Sequence, residues 1–196
     1  MNYFDNIKSL IIDGKEYPIR TDYRDILTII EAFEDKELTR YEKFDVMIDN
    51  LYIEKPPLIK ETFEKAIYFL DVDIEALVYN KKLNSKSNKN SNNNNYRLYS
   101  FIKDWQMIAS AMNKYFGFSI REKDYIHWFD FIGAFNDLGE CTFTHIIDIR
   151  KRKRENKLTK EERQYYYKNR EWIDLDYEEI DYEELLNTLN ENLERG

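Results

Sequence analysis

The chain has 196 residues, 42% of them hydrophobic and 16% aromatic, and its net charge is −8. This apolar content excludes an intrinsically disordered protein, because disordered chains have too little apolar surface to bury. The acidic balance argues against a protein that binds nucleic acid with its whole surface. The single cysteine, Cys141, excludes an intrachain disulfide and fits a reducing compartment.

A β-hairpin is predicted near the N-terminus. Asp13 and Gly14 separate two β-prone runs, residues 10–12 and 15–19. A two-residue type I′ turn needs positive φ at both central positions, and Asp-Gly is a favoured pair for it. Pro18 has no amide proton to donate, so its strand should end there or lie at an edge.

Five to seven helices should follow, three of them before residue 80, with a short helix in the acidic segment besides. Asp22 is the predicted N-cap of the first helix, and Thr39 with Glu42 forms the capping-box pattern that opens the second. Pro56 and Pro57 should end the second helix and begin the third. The predicted buried faces have helical spacing and contain Ile26, Ile29, Ile30 and Phe33, then Phe44, Met47, Ile48 and Leu51, then Phe63, Ala66, Ile67 and Leu70.

Asparagine, lysine and serine dominate residues 80–96. Because this stretch has almost no apolar side chain to offset its ordering entropy, we predict a flexible loop. The loop separates an N-terminal part of hairpin and helices (1–79) from a C-terminal helical part (97–173), which is followed by an acidic segment with a short helix (174–196). Two domains and one split bundle both remain open.

The C-terminal part should begin with two helices that form its core. Apolar residues recur at helical spacing from Leu98 to Phe116, and Gly117 should end that helix. The next helix, predicted over about residues 121–136, is apolar on nearly every side and should be central. A core cluster is predicted from Trp105, Trp128 and Phe131.

Three further helices should complete a mainly α fold with an N-terminal β-hairpin, an α+β helical bundle. One begins near Phe143 and runs into the basic residues 150–154. Thr159 and Glu162 predict a capping box for the next. The last carries leucines on one face with acids around them, namely Leu185, Leu186, Leu189 and Leu193.

No catalytic, cofactor or metal site is predicted. His127, Cys141 and His145 are the only soft metal ligands, and a zinc site usually needs four ligands in recognisable pairs. Cys141 with a histidine could form a nucleophile pair, but nothing in the sequence shows that the thiolate is stabilised. The five glycines form no phosphate-binding loop. We therefore expect a protein that is not an enzyme and has no cofactor.

The basic run of residues 150–154 admits three interpretations. It can be a helix end that is solvated or paired with the acids of residues 171–184, it can contact a partner protein, or it can bind nucleic acid. A nucleic-acid binder should be net basic, whereas an acidic segment follows this run. The candidate partner-binding residues are the alternate cations of the run and the apolar positions after it, namely Arg150, Arg152, Arg154, Tyr165, Tyr166, Leu185, Leu186, Leu189 and Leu193.

A set of motifs in fixed order carries a family resemblance. They are Asp13 to Ile19, Thr21-Asp22-Tyr23-Arg24, Asp104, Tyr115-Phe116-Gly117, Tyr125 to Phe131, Leu138-Gly139-Glu140 and Ile146 to Arg150. These motifs resemble the bacteriophage gp-fifteen family, which is encoded in the tail gene cluster of long-tailed phages of Gram-positive hosts. The resemblance covers roughly two thirds of the chain. It is interrupted by residues 80–95, does not extend beyond Trp172, and has Phe129 where the family often has tryptophan.

The resemblance implies a non-enzymatic tail assembly chaperone, which holds the tape measure protein while the tail tube polymerises around it. Tail tube subunits and a second copy of the chain are further expected partners. A membrane is not, because no apolar run approaches the roughly 20 residues that span a bilayer. Such a protein would act in the cytoplasm of the bacterial host during virion morphogenesis and be absent from the finished virion. Two alternatives stay open: a nucleic-acid-associated phage protein acting through residues 150–154, and a structural tail subunit.

Overall fold

The computed structural model describes residues 6–35, 37–78 and 98–175, with backbone alone over 71–78. These residues form one β-hairpin and eight helices, so the predicted mainly α fold with an N-terminal hairpin is confirmed. The predicted loop (80–96) and residues 176–196 of the acidic segment lie outside the described residues. The elements are β1 (Ser9–Ile12), β2 (Lys15–Pro18), α1 (Tyr23–Glu34), α2 (Arg40–Leu51), α3 (Lys60–Val78), α4 (Trp105–Phe116), a 3₁₀ turn (Ile120–Glu122), α5 (Trp128–Asn136), α6 (Thr142–Arg154), α7 (Lys160–Lys168) and α8 (Arg170–Ile173).

Contacts divide the described chain into two units. The first contains residues 6–35, 37–78 and 125–132, and the second contains residues 98–124 and 133–175. Helix α5 therefore begins in the first unit and ends in the second. The first unit thus combines the N-terminal hairpin and helices with residues 125–132, a short segment that is distant from them in the sequence.

The hairpin turns at Asp13 and Gly14, whose φ angles are 48° and 72°. Both angles are positive, as predicted for a two-residue type I′ turn. The strands are antiparallel with Leu10 opposite Tyr17, and β2 ends at Pro18, as predicted. Leu10 and Tyr17 are both buried, so one face of the hairpin belongs to the core of the first unit.

Helices α1 and α2 begin at their predicted caps. The Asp22 carboxylate accepts a hydrogen bond from the Arg24 amide. Thr39 and Glu42 form the predicted capping box. The predicted apolar faces of α1, α2 and α3 are buried except at Phe33, which is half-buried. These local signals therefore placed the helices and their inner faces correctly.

Helix α2 ends before Pro56 and Pro57, which corrects the prediction that the prolines end it. Its last residue is Leu51. The next residue, Tyr52, leaves the helix because its backbone pairs with that of Ile19 in an isolated antiparallel bridge. The prolines fall in the loop before α3, and the end of α2 is set by a contact that is distant in sequence.

The segment before α5 is extended, which corrects the predicted helix over residues 121–136. The Trp128 amide donates to the Thr21 carbonyl at 2.7 Å, and the Tyr23 amide donates to the Ile126 carbonyl at 3.0 Å. Because the backbone of this segment bonds to the chain at the start of α1, helix α5 begins only at Trp128.

Trp128 is the largest fully buried side chain of the first unit. Its ring stacks on Phe131 with centroids 5.8 Å apart, and Phe131 stacks on Tyr23 at 4.7 Å. The predicted core roles of Trp128 and Phe131 are confirmed. Trp105 belongs to the second unit, where it is half-buried and Arg121 lies over its ring.

Helix α4 begins at Trp105 rather than near Leu98. The Asp104 carboxylate accepts a hydrogen bond from the Ser100 amide at 3.0 Å, and this bond holds the preceding residues in turns. The helix ends at Gly117, as predicted, and the φ of 73° there is the left-handed conformation that favours glycine at a helix C-terminus.

Two apolar clusters form the core of the second unit. The first is an aromatic group whose ring centroids lie 5.0–6.0 Å apart, made of Tyr99, Phe101, Phe135 and Phe143. The second joins α6, α7 and α8 through Ile146, Ile149, Tyr166 and Ile173. Helix α6 contributes to both clusters, and α7 begins at the predicted capping box of Thr159 and Glu162.

We predict that Trp128→Ala lowers the free energy of unfolding by about 3–5 kcal/mol, because it leaves a large cavity in the first unit. Urea denaturation followed by circular dichroism measures the change. Tyr68→Ala is the matched control, since that ring is 72% exposed, and it should change stability by about 0.5 kcal/mol at most. A Trp128→Ala variant as stable as the unmodified protein would contradict the core role.

Candidate functional site

Arg150, the first residue of the basic run, is buried in the second unit. Its guanidinium donates two hydrogen bonds to the Asp104 carboxylate, at 2.6 and 2.8 Å. Its remaining N–H groups donate to the main-chain carbonyls of Leu98, Trp172 and Ile173. All five N–H donors are therefore used, which the fork geometry of a guanidinium allows.

This burial removes Arg150 from the candidate partner-binding residues. Arg150 is among the predicted partner-binding residues, but it follows Phe143 and Ile146 on the buried side of α6. Its bonds fasten α6 to the residue before α4 and to the end of α8. Arg150 is thus a structural anchor, and the surface of the basic run begins at the next residue.

Lys153 and Arg170 both bind the carboxylate of Asp174, at 2.5 and 2.9 Å. The Tyr166 hydroxyl donates to the same group at 2.8 Å. Burial raises the pKa of Asp174, but the hydrogen bonds from Lys153, Arg170 and Tyr166 outweigh burial and hold that pKa below 3.8. Burial lowers the pKa of the Lys153 ammonium group. The interactions with Asp174 and Tyr166 outweigh burial, so that pKa is raised overall.

Lys153 thus pairs with an acid of the chain itself, which is one of the interpretations left open for the basic run. Arg152 also has an internal partner, since it donates to Glu162 at 2.6 Å, yet its side chain stays 48% exposed. Arg154 is exposed at the end of α6. Arg152 and Arg154 are therefore the two predicted cations that lie at the surface.

The aromatic candidates divide between core and surface. Tyr166 is buried and its hydroxyl is bonded to Asp174, so it is removed from the candidates. Tyr165 is exposed, as a partner-binding residue must be. Tyr167 and Trp172 are 69% and 63% exposed, and the prediction missed both. The tyrosine triplet was a signal, because neighbouring residues in a helix point about 100° apart and cannot all face the core.

The four predicted leucines, Leu185, Leu186, Leu189 and Leu193, lie outside the described residues, so their partner-binding role stays a prediction. The exposed apolar residues that the structure describes near the C-terminus are Tyr165, Tyr167 and Trp172, which together we call the aromatic surface. Tyr165 and Tyr167 are two positions apart in α7 and point about 200° apart around the helix. None of the described helices is both long and apolar enough to span a bilayer.

In the described part of the chain, no group of three or more His, Cys, Asp or Glu side chains could hold a metal. His127 is buried, and its Nδ1 accepts a hydrogen bond from the Phe129 amide at 3.1 Å. Its Nε2 therefore carries the proton and donates to the Ile7 carbonyl. Cys141 is the N-cap residue of α6, and His145 is exposed.

We predict that Arg150→Met and Asp104→Leu each lower the free energy of unfolding by about 3–5 kcal/mol, because each leaves a buried charge without its partner. The double variant should lose less than the sum of the two single losses, since it leaves no unpaired charge. Equilibrium denaturation of all three variants measures the coupling. Arg152→Met is the exposed control, with an expected loss of about 0–1 kcal/mol. Additive losses in the double variant would contradict the pairing.

We predict that Asp174 stabilises the protein at neutral pH and ceases to do so in acid. Its folded-state pKa lies below the ordinary value of 3.8, so the unfolded chain takes up the proton first as the pH falls. The stabilisation is therefore complete above the unfolded pKa and is lost as the pH falls through the folded pKa. Thermal melting from about pH 2 to about pH 7 should show the unmodified protein and Asp174→Asn differing at neutral pH and converging in acid. A constant difference would contradict this.

A family model described as Bacteriophage Gp15 protein matches residues 4–175 of the chain. The match includes both units as described, and with them the Arg150–Asp104 pair and the Trp128 core. No curated protein and no solved structure matches the chain. Because the matched residues make up well over half of the sequence, the resemblance seen in its motifs is confirmed, and the chain belongs to the Bacteriophage Gp15 protein family.

Proposed function

We propose that this protein is a tail assembly chaperone that binds the tape measure protein of its phage. Membership of the Bacteriophage Gp15 protein family supports a phage role, and the resemblance to proteins of tail gene clusters supports a role in the tail. The structural observation that carries the proposal is the aromatic surface of α7 and α8, where the rings of Tyr167 and Trp172 are largely exposed.

Exposed aromatic rings suit a helical client. A tape measure protein is expected to be long and helical, and its apolar stripes would aggregate before the tube encloses them. Tyrosine and tryptophan bury roughly 150–250 Å² each when an apolar helix packs on them. Their helices are fastened by the bonds of Arg150 and Asp174, so little additional ordering is needed when a client binds.

The proposed activity is binding without catalysis, in the cytoplasm of the host during assembly. Several copies on one long client would bind with avidity, and incoming tail tube subunits would displace them by competing for the same client surface. The protein would then be absent from finished virions. Mass spectrometry of purified particles checks this point, and a stoichiometric amount in the particles would favour the alternative of a structural tail subunit.

We predict that co-expression raises the soluble fraction of the tape measure protein from the same phage and that the two proteins co-purify. Trp172→Gln and Tyr167→Gln should each weaken the complex by about 1–3 kcal/mol, because each removes apolar area from the interface. A pull-down titration with purified variants measures the affinity. Tyr68→Gln, an exposed ring in the first unit, is the control and should bind like the unmodified protein.

Two further arms compare apolar with charged contacts. One double variant carries Leu185→Gln and Leu189→Gln, and the other carries Arg152→Glu and Arg154→Glu. The leucine variant should weaken the complex more, because exposed ion pairs contribute only about 0–1 kcal/mol. Arg150 is left intact, since reversing a buried charge would unfold the second unit. Unchanged affinity in all apolar variants would overturn the assignment of the client surface. Absence of any complex would overturn the chaperone proposal, and a decisive effect of the charge reversals with steep salt dependence would favour nucleic acid instead.

A further inference from the structure

The surface of α6, α7 and the turn between them is strongly basic. Residues 151–170, which leave out the buried Arg150, contain nine basic and three acidic residues, a net charge of +6. Within the part of the chain that the structure describes, four of these cations have no ion-pair partner within 4.0 Å: Lys151, Lys160, Arg163 and Lys168. All four are exposed. We call these four side chains, with Arg152 and Arg154, the basic surface.

The chain that follows the described residues has the opposite charge. Residues 176–196 contain eight acidic residues and one arginine, a net charge of −7 that nearly balances the +6 of residues 151–170. Six of the eight acids fall within the nine residues 176–184. Such a dense run of like charges repels itself, so it gains from a surface of cations.

Asp174, which lies near the end of the described residues, is surrounded by cations. Asp174 is bound by Lys153 and Arg170, and Lys103 donates to its main-chain carbonyl. The nine residues 176–184 can extend over about 30 Å, whereas the nine residues of α7 span about 13 Å. The acidic run is therefore long enough to lie along the basic surface of the same molecule.

We propose that residues 176–184 bind the basic surface of the same molecule and shield it from polyanions such as nucleic acid. A tethered segment acts at an effective concentration of about millimolar, so it competes well against a polyanion in solution. With its basic surface covered in this way, the second unit would not bind the nucleic acid that is abundant in a cell. This inference does not depend on the identity of the client.

Carbodiimide cross-linking tests whether the contact exists and whether it is intramolecular. Equal amounts of unlabelled and ¹⁵N-labelled full-length protein are mixed, cross-linked and digested, and the joined peptides are identified by mass spectrometry. We expect the acids of residues 176–184 to be joined to Lys151, Lys160 or Lys168 in peptides of a single isotope. Peptides of mixed isotope would show a contact between copies and overturn the proposal, and so would acids joined chiefly to lysines of the first unit.

Polyanion binding tests the shielding. The full-length variant with Asp176, Glu178, Glu179, Asp181, Glu183 and Glu184 changed to Asn or Gln should bind a fluorescent 20-base-pair DNA duplex at least about tenfold more tightly at low salt, with affinity falling as salt rises. Adding Lys160→Gln and Arg163→Gln to that variant should remove most of the gain. An unchanged affinity in the six-acid variant would overturn the proposal.

Net charge alone is controlled by a matched variant of equal charge. It changes six exposed acids of the first unit to Asn or Gln: Glu31, Glu37, Asp45, Asp49, Glu54 and Glu64. This variant should bind the duplex less than about threefold more tightly than the unmodified protein, because the first unit lacks the basic surface. A gain equal to that of the 176–184 variant would show that net charge, not shielding, controls binding, and would overturn the proposal.

Discussion

Arg150 and Asp104 form the ion pair on which the second unit depends, because it joins α6 to the turn before α4 and to the end of α8. Removing two such charges from water costs several kcal/mol for each ion. That cost is offset only because every N–H of the guanidinium has an acceptor and Asp104 also accepts from the Ser100 amide. A lysine at position 150 has three donors and no planar fork, so it could not replace this arginine.

This anchor determines what the surface of the second unit can present. With Arg150 turned inward and Lys153 bound to Asp174, α8 is held against α6 by hydrogen bonds as well as by Ile149 and Ile173. The exposed rings of α7 and α8 are then rigidly supported although their own helices are short, at nine and four residues. Helices of that length would be marginal alone. The positions of these exposed rings therefore depend on the buried polar contacts below them.

Sequence patterns predicted the features that depend on near neighbours. The Asp13-Gly14 turn, the caps at Asp22 and Thr39 and the Gly117 terminus each involve residues within a few positions, so local chemistry decides them. The start of α5 was missed because its backbone bonds to residues about a hundred positions earlier. The burial of Arg150 was missed because it stands among five cations in the sequence. It lies seven residues after Phe143 and four after Ile146, both buried, and this helical spacing indicates that it shares their buried face. The exposure of Trp172 depends on α8 packing, which no local pattern encodes.

The pairing of residues 21–23 with residues 126–128 also has a consequence during translation. A ribosome releases the chain from its N-terminus at about 5–20 residues per second. For several seconds after α3 has emerged, the first unit has neither Trp128 nor Phe131 to cover its apolar faces, and residues 80–96 lengthen that interval. The apolar faces of the first unit therefore stay uncovered in the nascent chain until residues 126–131 have been translated.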